Sequence, residues 1–195
     1  MKKIKMGQSD IELSRLMYGA WRLDDAEDTS SAHVREKIDL CLSQGITSFD
    51  HADIYGDYRC EAIFGNAIKN DNSLRKDIQL ISKCDIALLS DKFPDRRVKF
   101  YDTSAQYITT SVEQSLSNLS TDYLDLLLIH RPDPFMDAAE TASALDALVD
   151  SGKVRGVGVS NFGPWDWKLI QKHMKYPLLT NQVEMSLLNR ESFVD

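Results

Sequence analysis

The stretch Ile46-Thr47-Ser48-Phe49-Asp50-His51-Ala52-Asp53-Ile54-Tyr55-Gly56, continued by D-Y-R-C-E to residue 61, is the unit around which the chain is organised. A β-branched and aromatic run stops at Asp50, Tyr55 stands directly before Gly56, and a helix-like segment starts near Cys60. A buried strand that ends on a carboxylate, with a phenol on the loop after it, puts two titratable groups at one strand's C-terminal end. Parallel α/β folds place their chemistry at that end. Taken alone, the pattern is equally that of a turn or a helix N-cap, because aspartate serves both.

Upstream of this unit, residues 1–14 read as a short hairpin with Gly7-Gln8-Ser9-Asp10 at the turn. An apolar strand, Leu16-Met17-Tyr18, then runs into Gly19-Ala20-Trp21. Gly19 allows close approach of backbone to a ligand and Trp21 can wall a pocket, but a turn glycine and a core tryptophan explain the same residues. Residues 31–44 carry Val34, Ile38, Cys41 and Leu42 at helical spacing, closed by Gly45. Downstream, a helix is predicted over 61–69. Then comes a strand, Ile78-Gln79-Leu80-Ile81-Ser82, ending on Lys83, and a polar, proline-interrupted loop over 85–102. A helix over 104–119 leads to the apolar run Leu124-Asp125-Leu126-Leu127-Leu128-Ile129, which ends on His130. A helix over 138–151 closed by Gly152, the strand Gly156-Val157-Gly158-Val159 ending on Ser160-Asn161, a short helix near Pro164 and a strand over 178–184 complete the pattern. Residues 189–195 read as the start of a further element.

Strand ends thus fall near residues 18, 50, 83, 130, 160 and 184, each separated from the next by a helix-sized segment. Repeated βα units fit an open doubly wound sheet or a (β/α)8 barrel. No G-x-G-x-x-G follows a strand and no Walker-type G-x-x-x-x-G-K occurs, which favours the TIM-barrel type of α/β fold. Barrels run to about 250 residues, so residues 1–195 are expected to form a single partial barrel domain. The hairpin would occupy about 1–14 and six of eight βα units about 15–195, the last two units lying outside the chain.

The bulk composition, 43% hydrophobic and 27% charged, is that of a folded globular protein. A net charge of −7 disfavours a nucleic-acid-binding surface. No apolar run approaches the roughly 20 residues that span a bilayer, and the basic start lacks the apolar core of a signal peptide. A cytoplasmic location is the expectation. The three cysteines, Cys41, Cys60 and Cys84, have no metal-site spacing and read as reduced structural thiols, with the reactivity of Cys84 left open. No metal site is expected.

In a barrel, Asp50, Lys83 and His130 converge on one face with Tyr55. A free phenol has a pKa near 10. A neighbouring ammonium favours the phenolate, and a carboxylate paired with that ammonium keeps it charged and in place. A histidine beside them can orient a carbonyl oxygen. The set suits protonation of a carbonyl oxygen as hydride reaches the carbon. A glycosidase reading with Asp50 and Glu61 as paired carboxylates fits poorly, because Glu61 belongs to the following helix.

The segments Asp50-His51-Ala52-Asp53-Ile54-Tyr55-Gly56, Ser82-Lys83, Leu128-Ile129-His130-Arg131, Gly158-Val159-Ser160-Asn161-Phe162 and Asn181-Gln182-Val183-Glu184 resemble the aldo-keto reductase family, in order and spacing along essentially the whole chain. The resemblance is strongest to bacterial members of the oxidoreductase type. It implies NAD(P)H-dependent reduction of a small aldehyde or ketone, with NADPH as the expected cofactor. Tyr55 would be the proton donor, Lys83 and Asp50 its tuning pair, and His130 the residue orienting the carbonyl. The resemblance also implies cofactor contacts from Gly19, Ala20, Asp50, Ser160, Asn161 and Gln182, and a substrate pocket of Trp21, Tyr55 and His130. His51 stands where many relatives carry threonine, a change expected to be tolerated. The family's aromatic stacking residue for the nicotinamide and its basic loop for the adenosine 2′-phosphate would lie beyond residue 195. Two alternatives follow: an inactive fragment of such an enzyme, or a non-catalytic nucleotide-binding or sensor protein on the same fold.

Overall fold

Strands and helices alternate because short apolar runs ending on polar turns alternate with segments whose apolar residues recur at helical spacing. The computed structural model describes residues 1–190. The first half contains β1 (Lys3–Lys5), β2 (Glu12–Ser14), β3 (Tyr18–Gly19), α1 (Ser31–Ser43), β4 (Ser48–Asp50), the single turn α2 (Tyr55–Tyr58), α3 (Cys60–Ile68), α4 (Asn72–Asp77) and β5 (Gln79–Cys84). The second contains β6 (Ile86–Ala87), β7 (Phe100–Tyr101), α5 (Ala105–Asn118), β8 (Leu126–Ile129), α6 (Ala138–Asp150), β9 (Val157–Ser160), α7 (Pro164–Gln171) and β10 (Leu178–Gln182). β1 and β2 pair as an antiparallel hairpin. The element read as starting near residue 189 lies, from residue 191 on, outside the described residues.

The six strands β3, β4, β5, β8, β9 and β10 form one sheet in that spatial order, all neighbours parallel. Neighbours in sequence are therefore neighbours in space, the winding of a (β/α)8 wall. Among the described residues β3 and β10 are its two edges.

Side-chain alternation along the strands separates two apolar layers. Leu80 and Cys84 on β5 and Leu127 and Ile129 on β8 join the large cluster packed under the helices, with Phe49, Phe64, Ile108 and Leu145. Ile81, Leu126 and Leu128 point the other way and pack with Ile11 and Leu13 from the hairpin, so the hairpin plugs the inner face. Because successive strand residues face opposite sides, Lys83 shares the inner face with Ile81, and His130 shares it with Leu126 and Leu128. Gly158 keeps that face open: a Cβ there would lie 2.6 Å from the Thr180 carbonyl oxygen and 2.8 Å from Leu128 Cδ2.

Helix starts follow their caps. The side chains of Ser30, Ser104 and Asp137 accept backbone N–H groups of the first turns of α1, α5 and α6, contacts worth about 1 kcal/mol each. Gly45 and Gly152 take positive φ just past α1 and α6. Four details differ from the sequence reading. The apolar strand read over 16–18 is β3 at Tyr18–Gly19, with Leu16 and Met17 exposed. The loop over 85–102 carries the small antiparallel pair β6–β7. The short α4, capped by Asp71, precedes β5. Trp21 is 64% exposed, so it is not a core residue. No helix among the described residues is long and apolar enough to cross a membrane.

Candidate active site

β4, β5 and β8 end side by side, and the residues at their C-terminal ends meet. Lys83 is buried along its whole length, and its ammonium is the hub. Nζ lies 2.9 and 2.8 Å from the two Asp50 carboxylate oxygens, 2.8 Å from the His51 carbonyl oxygen and 3.1 Å from the Tyr55 hydroxyl. An ammonium has three protons, so one of them is shared between two of these four acceptors. A buried lysine is tolerable only with this kind of satisfaction.

Tyr55 is held by an unusual stretch of backbone. Gly56, Asp57 and Tyr58 all take positive φ, at 58°, 53° and 66°. At Gly56 a Cβ would sit 2.6 Å from Cys60 Sγ and 2.7 Å from Asp24 Cβ, so glycine is required there on both counts. Left-handed backbone at two non-glycine residues persists only where the surroundings enforce it. On one side Arg59 binds the Asp24 carboxylate, with Nη2 2.5 Å from Oδ2. On the other the buried Tyr58 hydroxyl accepts from the Leu88 N–H at 2.9 Å and from Arg96 Nη1 at 2.7 Å. Sequence reasoning missed Tyr58 and Arg96. Two tyrosines around a glycine were the only local signal, and the partners come from 30 and 38 residues away.

His130 stands across from Tyr55, rings 5.9 Å apart and nearly perpendicular at 77°. Burial, with the Lys83 charge adding to it, pushes its pKa down to about 3, so its imidazole is neutral at physiological pH. Trp21 lies over the open side of Tyr55, ring centroids 6.3 Å apart. Gly19 is exposed and has nothing within 4 Å of where a Cβ would be. Ala20 is fully buried, and its N–H donates to the Asp50 carbonyl oxygen at 2.9 Å.

At the neighbouring ends of β9 and β10, Ser160 Oγ donates to the Gln182 carbonyl oxygen at 2.9 Å and accepts from Asn161 Nδ2 at 3.0 Å. The Asn161 N–H also donates to Gln182. The candidate site residues thus lie at or beyond the C-terminal ends of the six strands.

The helix side of the same strand ends carries buried acids. Glu61 is buried on the helix side, accepting from Ser82 Oγ at 2.6 Å and Asn118 Nδ2 at 3.2 Å, so it has no part in a carboxylate pair with Asp50. Burial raises the Glu61 carboxyl, raises Asp53 well above its ordinary value, and pushes Asp85 up to about 9. Cys84 is 1% exposed and its thiol is pushed well up by burial, which makes it an inert structural cysteine. His51, also fully buried, packs edge-on against Phe64 at 4.5 Å and is pushed down to about 3 by burial. Its side chain takes no part in the site; its carbonyl oxygen does.

A model of the aldo/keto reductase family matches residues 15–193. The 6-dehydroglucose reductase of Agrobacterium fabrum is 53% identical over 195 residues, spanning all of this chain and 65% of the relative. Oxidoreductase YdhF of Escherichia coli is 45% identical, over all of this chain and 64% of its own length. Among solved structures, the glycerol dehydrogenase AKR11B4 from Gluconobacter oxydans superposes with a TM-score of 0.82 at 29% identity, covering 97% of this chain and 57% of that one. The holo form of aldo-keto reductase AKR11C1 from Bacillus halodurans superposes with a TM-score of 0.79. This chain belongs to the aldo/keto reductase family, and its sheet and helices are part of that family's barrel. It spans less than two thirds of the length of these relatives.

Proposed function

We propose that the chain reduces an aldehyde or ketone to an alcohol at the expense of a reduced nicotinamide cofactor, with Tyr55 as proton donor. The observation that carries this reading is the Lys83 ammonium shared between Asp50 and the Tyr55 hydroxyl. The ammonium stabilises negative charge on the phenol oxygen as its proton leaves, and Asp50 holds the ammonium in place. The neutral His130 imidazole donates an N–H to the substrate oxygen and fixes its orientation against Tyr55. Trp21, over the open side of Tyr55, shields the substrate from water.

The amide and hydroxyl groups of Ser160, Asn161 and Gln182 offer donors and acceptors together, the complement that a carboxamide requires. They would hold the nicotinamide, with Gly19 leaving room beside Asp50. When bound, the cofactor supplies the hydride to the carbonyl carbon. The proton that completes the alcohol comes from the Tyr55 hydroxyl. NADPH is the cofactor this reading favours.

The test is oxidation of reduced cofactor in the presence of a simple aldehyde. Turnover that falls at least ~100-fold in Tyr55→Phe, in keeping with the weight of general acid catalysis, supports the reading. Tight cofactor binding with no aldehyde-dependent oxidation in either protein would assign the site to a nucleotide-binding role instead.

A further inference from the structure

Beyond the Tyr55 loop, on the helix side of β4 and β5, the 85–102 segment and α5 border an open-mouthed cavity of about 430 Å³. This is the size of a small-molecule site. Tyr107, Thr110, Ser111 and Gln114 line one wall. They recur three or four residues apart and so form a single polar face of the helix. Lys92, Phe93 and Arg96 line the opposite wall, and Asp53 reaches it from the loop after β4.

The charge of its lining marks the cavity as built for a ligand. Asp53 is 93% buried (7% exposed), yet its Oδ1 has no hydrogen-bond partner. Its carboxyl is held by Ser111 on the cavity wall, and Oδ1 itself is closed to solvent, so this oxygen does not face the cavity. Neither Lys92 nor Arg96 has a carboxylate within ion-pair distance among the described residues. Arg96 is stacked 3.7 Å over Phe93, with Nη1 committed to Tyr58, and this holds the guanidinium at the cavity. The Asp102 carboxylate, which also lines the cavity, accepts from the Ser104 N–H. Two unpaired cations over a wall of hydroxyls and amides, on a chain of net charge −7, attract anions locally.

We propose that this cavity is a second small-molecule site, separate from the Tyr55 site, and that it takes a polyol bearing one anionic group, a sugar acid or a sugar phosphate. The acid group sits against Lys92 and Arg96. The hydroxyls meet Thr110, Ser111 and Gln114. Tyr58 lines the same cavity, so occupancy also braces the backbone that carries Tyr55.

Calorimetric titration of the 195-residue chain tests this without any reference to catalysis. Gluconate and glucose 6-phosphate are the probes, with sorbitol and acetate as the polyol and the anion alone. Saturable one-site binding of at least one probe is expected, and the tighter of the two identifies the acid group. Sorbitol and acetate should each bind about tenfold or more weakly, as loss of one charge-assisted contact implies. Lys92 and Gln114 are exposed, so Lys92→Gln with Gln114→Leu spares the fold and should weaken binding by about tenfold or more. Binding should survive Tyr55→Phe. Absence of binding by both probes, sorbitol binding as tightly as they do, indifference to the Lys92/Gln114 substitutions, or loss of binding in Tyr55→Phe would each overturn the proposal.

Discussion

Two sides of the same strand ends handle buried charge in opposite ways. On the inner face Lys83 and Asp50 form a salt bridge, and Lys83 Nζ is surrounded by four oxygens within 3.1 Å. On the helix side, a few residues away, Asp53, Glu61 and Asp85 are buried without a cation in ion-pair range among the described residues, and burial raises all three. The physical cost is the same, since an ion in a poorly solvated interior must be paired or neutralised. The inner face pairs it and keeps a charge aimed at Tyr55. On the helix side burial favours the protonated carboxyls, and Asp53 Oδ1 and Asp85 Oδ1 are left unpartnered.

Breaking the paired side should have the largest effect. Lys83→Met strands the Asp50 carboxylate and should cost about 3 kcal/mol of stability, read as a lower urea midpoint. Adding Asp50→Leu should recover part of that loss, and a double variant as weak as the two losses summed would refute the pairing. Next in size is Tyr58→Phe, which removes the acceptor for Leu88 N–H and Arg96 and should cost about 1–2 kcal/mol. Amide exchange should quicken at residues 55–59 and 88, where a purely local packing loss would leave residue 88 unchanged.

The neutralised side is tested by pH. Asp85 is pushed up to about 9 in the folded protein, against about 3.9 for a free aspartate. The folded state therefore keeps a proton that the unfolded chain releases. Its contribution is complete below about pH 4 and is lost as pH rises toward 9. His51 and His130, pushed down to about 3, act in the opposite sense, with a contribution present above about pH 6.5 and lost on acidification. Between about pH 6.5 and 8, below the range of the free thiols and phenols, the raised Asp85 carboxyl acts without the histidines, so stability should fall as pH rises. Asp85→Asn should flatten that slope, and an unchanged slope would mean that Asp85 is not the proton holder. The smallest effect is expected at His51. His51→Phe exchanges a ring with no side-chain hydrogen bond for an apolar one against Phe64 and should change stability by less than about 1.5 kcal/mol in thermal unfolding.

The inner face was legible because its chemistry stands at sequence positions with a local signature. Apolar runs end on Asp50, Lys83, His130 and Ser160, and strand alternation carries each of them to the side of Ile81 and Leu128. The helix side was not legible. Asp53 and Asp85 look like ordinary turn residues, and their burial depends on α3, α5 and the 85–102 segment closing over them. The positive φ of Asp57, Tyr58 and Asp85 leaves no compositional trace at non-glycine residues. The pair β6–β7 is two residues long on each strand, too short for alternation to register. The six-residue α4 shows only its Asp71 cap.

The central claim is that Lys83 acts through the Tyr55 hydroxyl rather than beside it. The most direct measurement is a double-mutant cycle of Tyr55→Phe and Lys83→Met on aldehyde reduction, run where each variant is folded. The account predicts strong non-additivity: once the Tyr55 hydroxyl is gone, removing Lys83 costs little more. Independent, additive losses would contradict it.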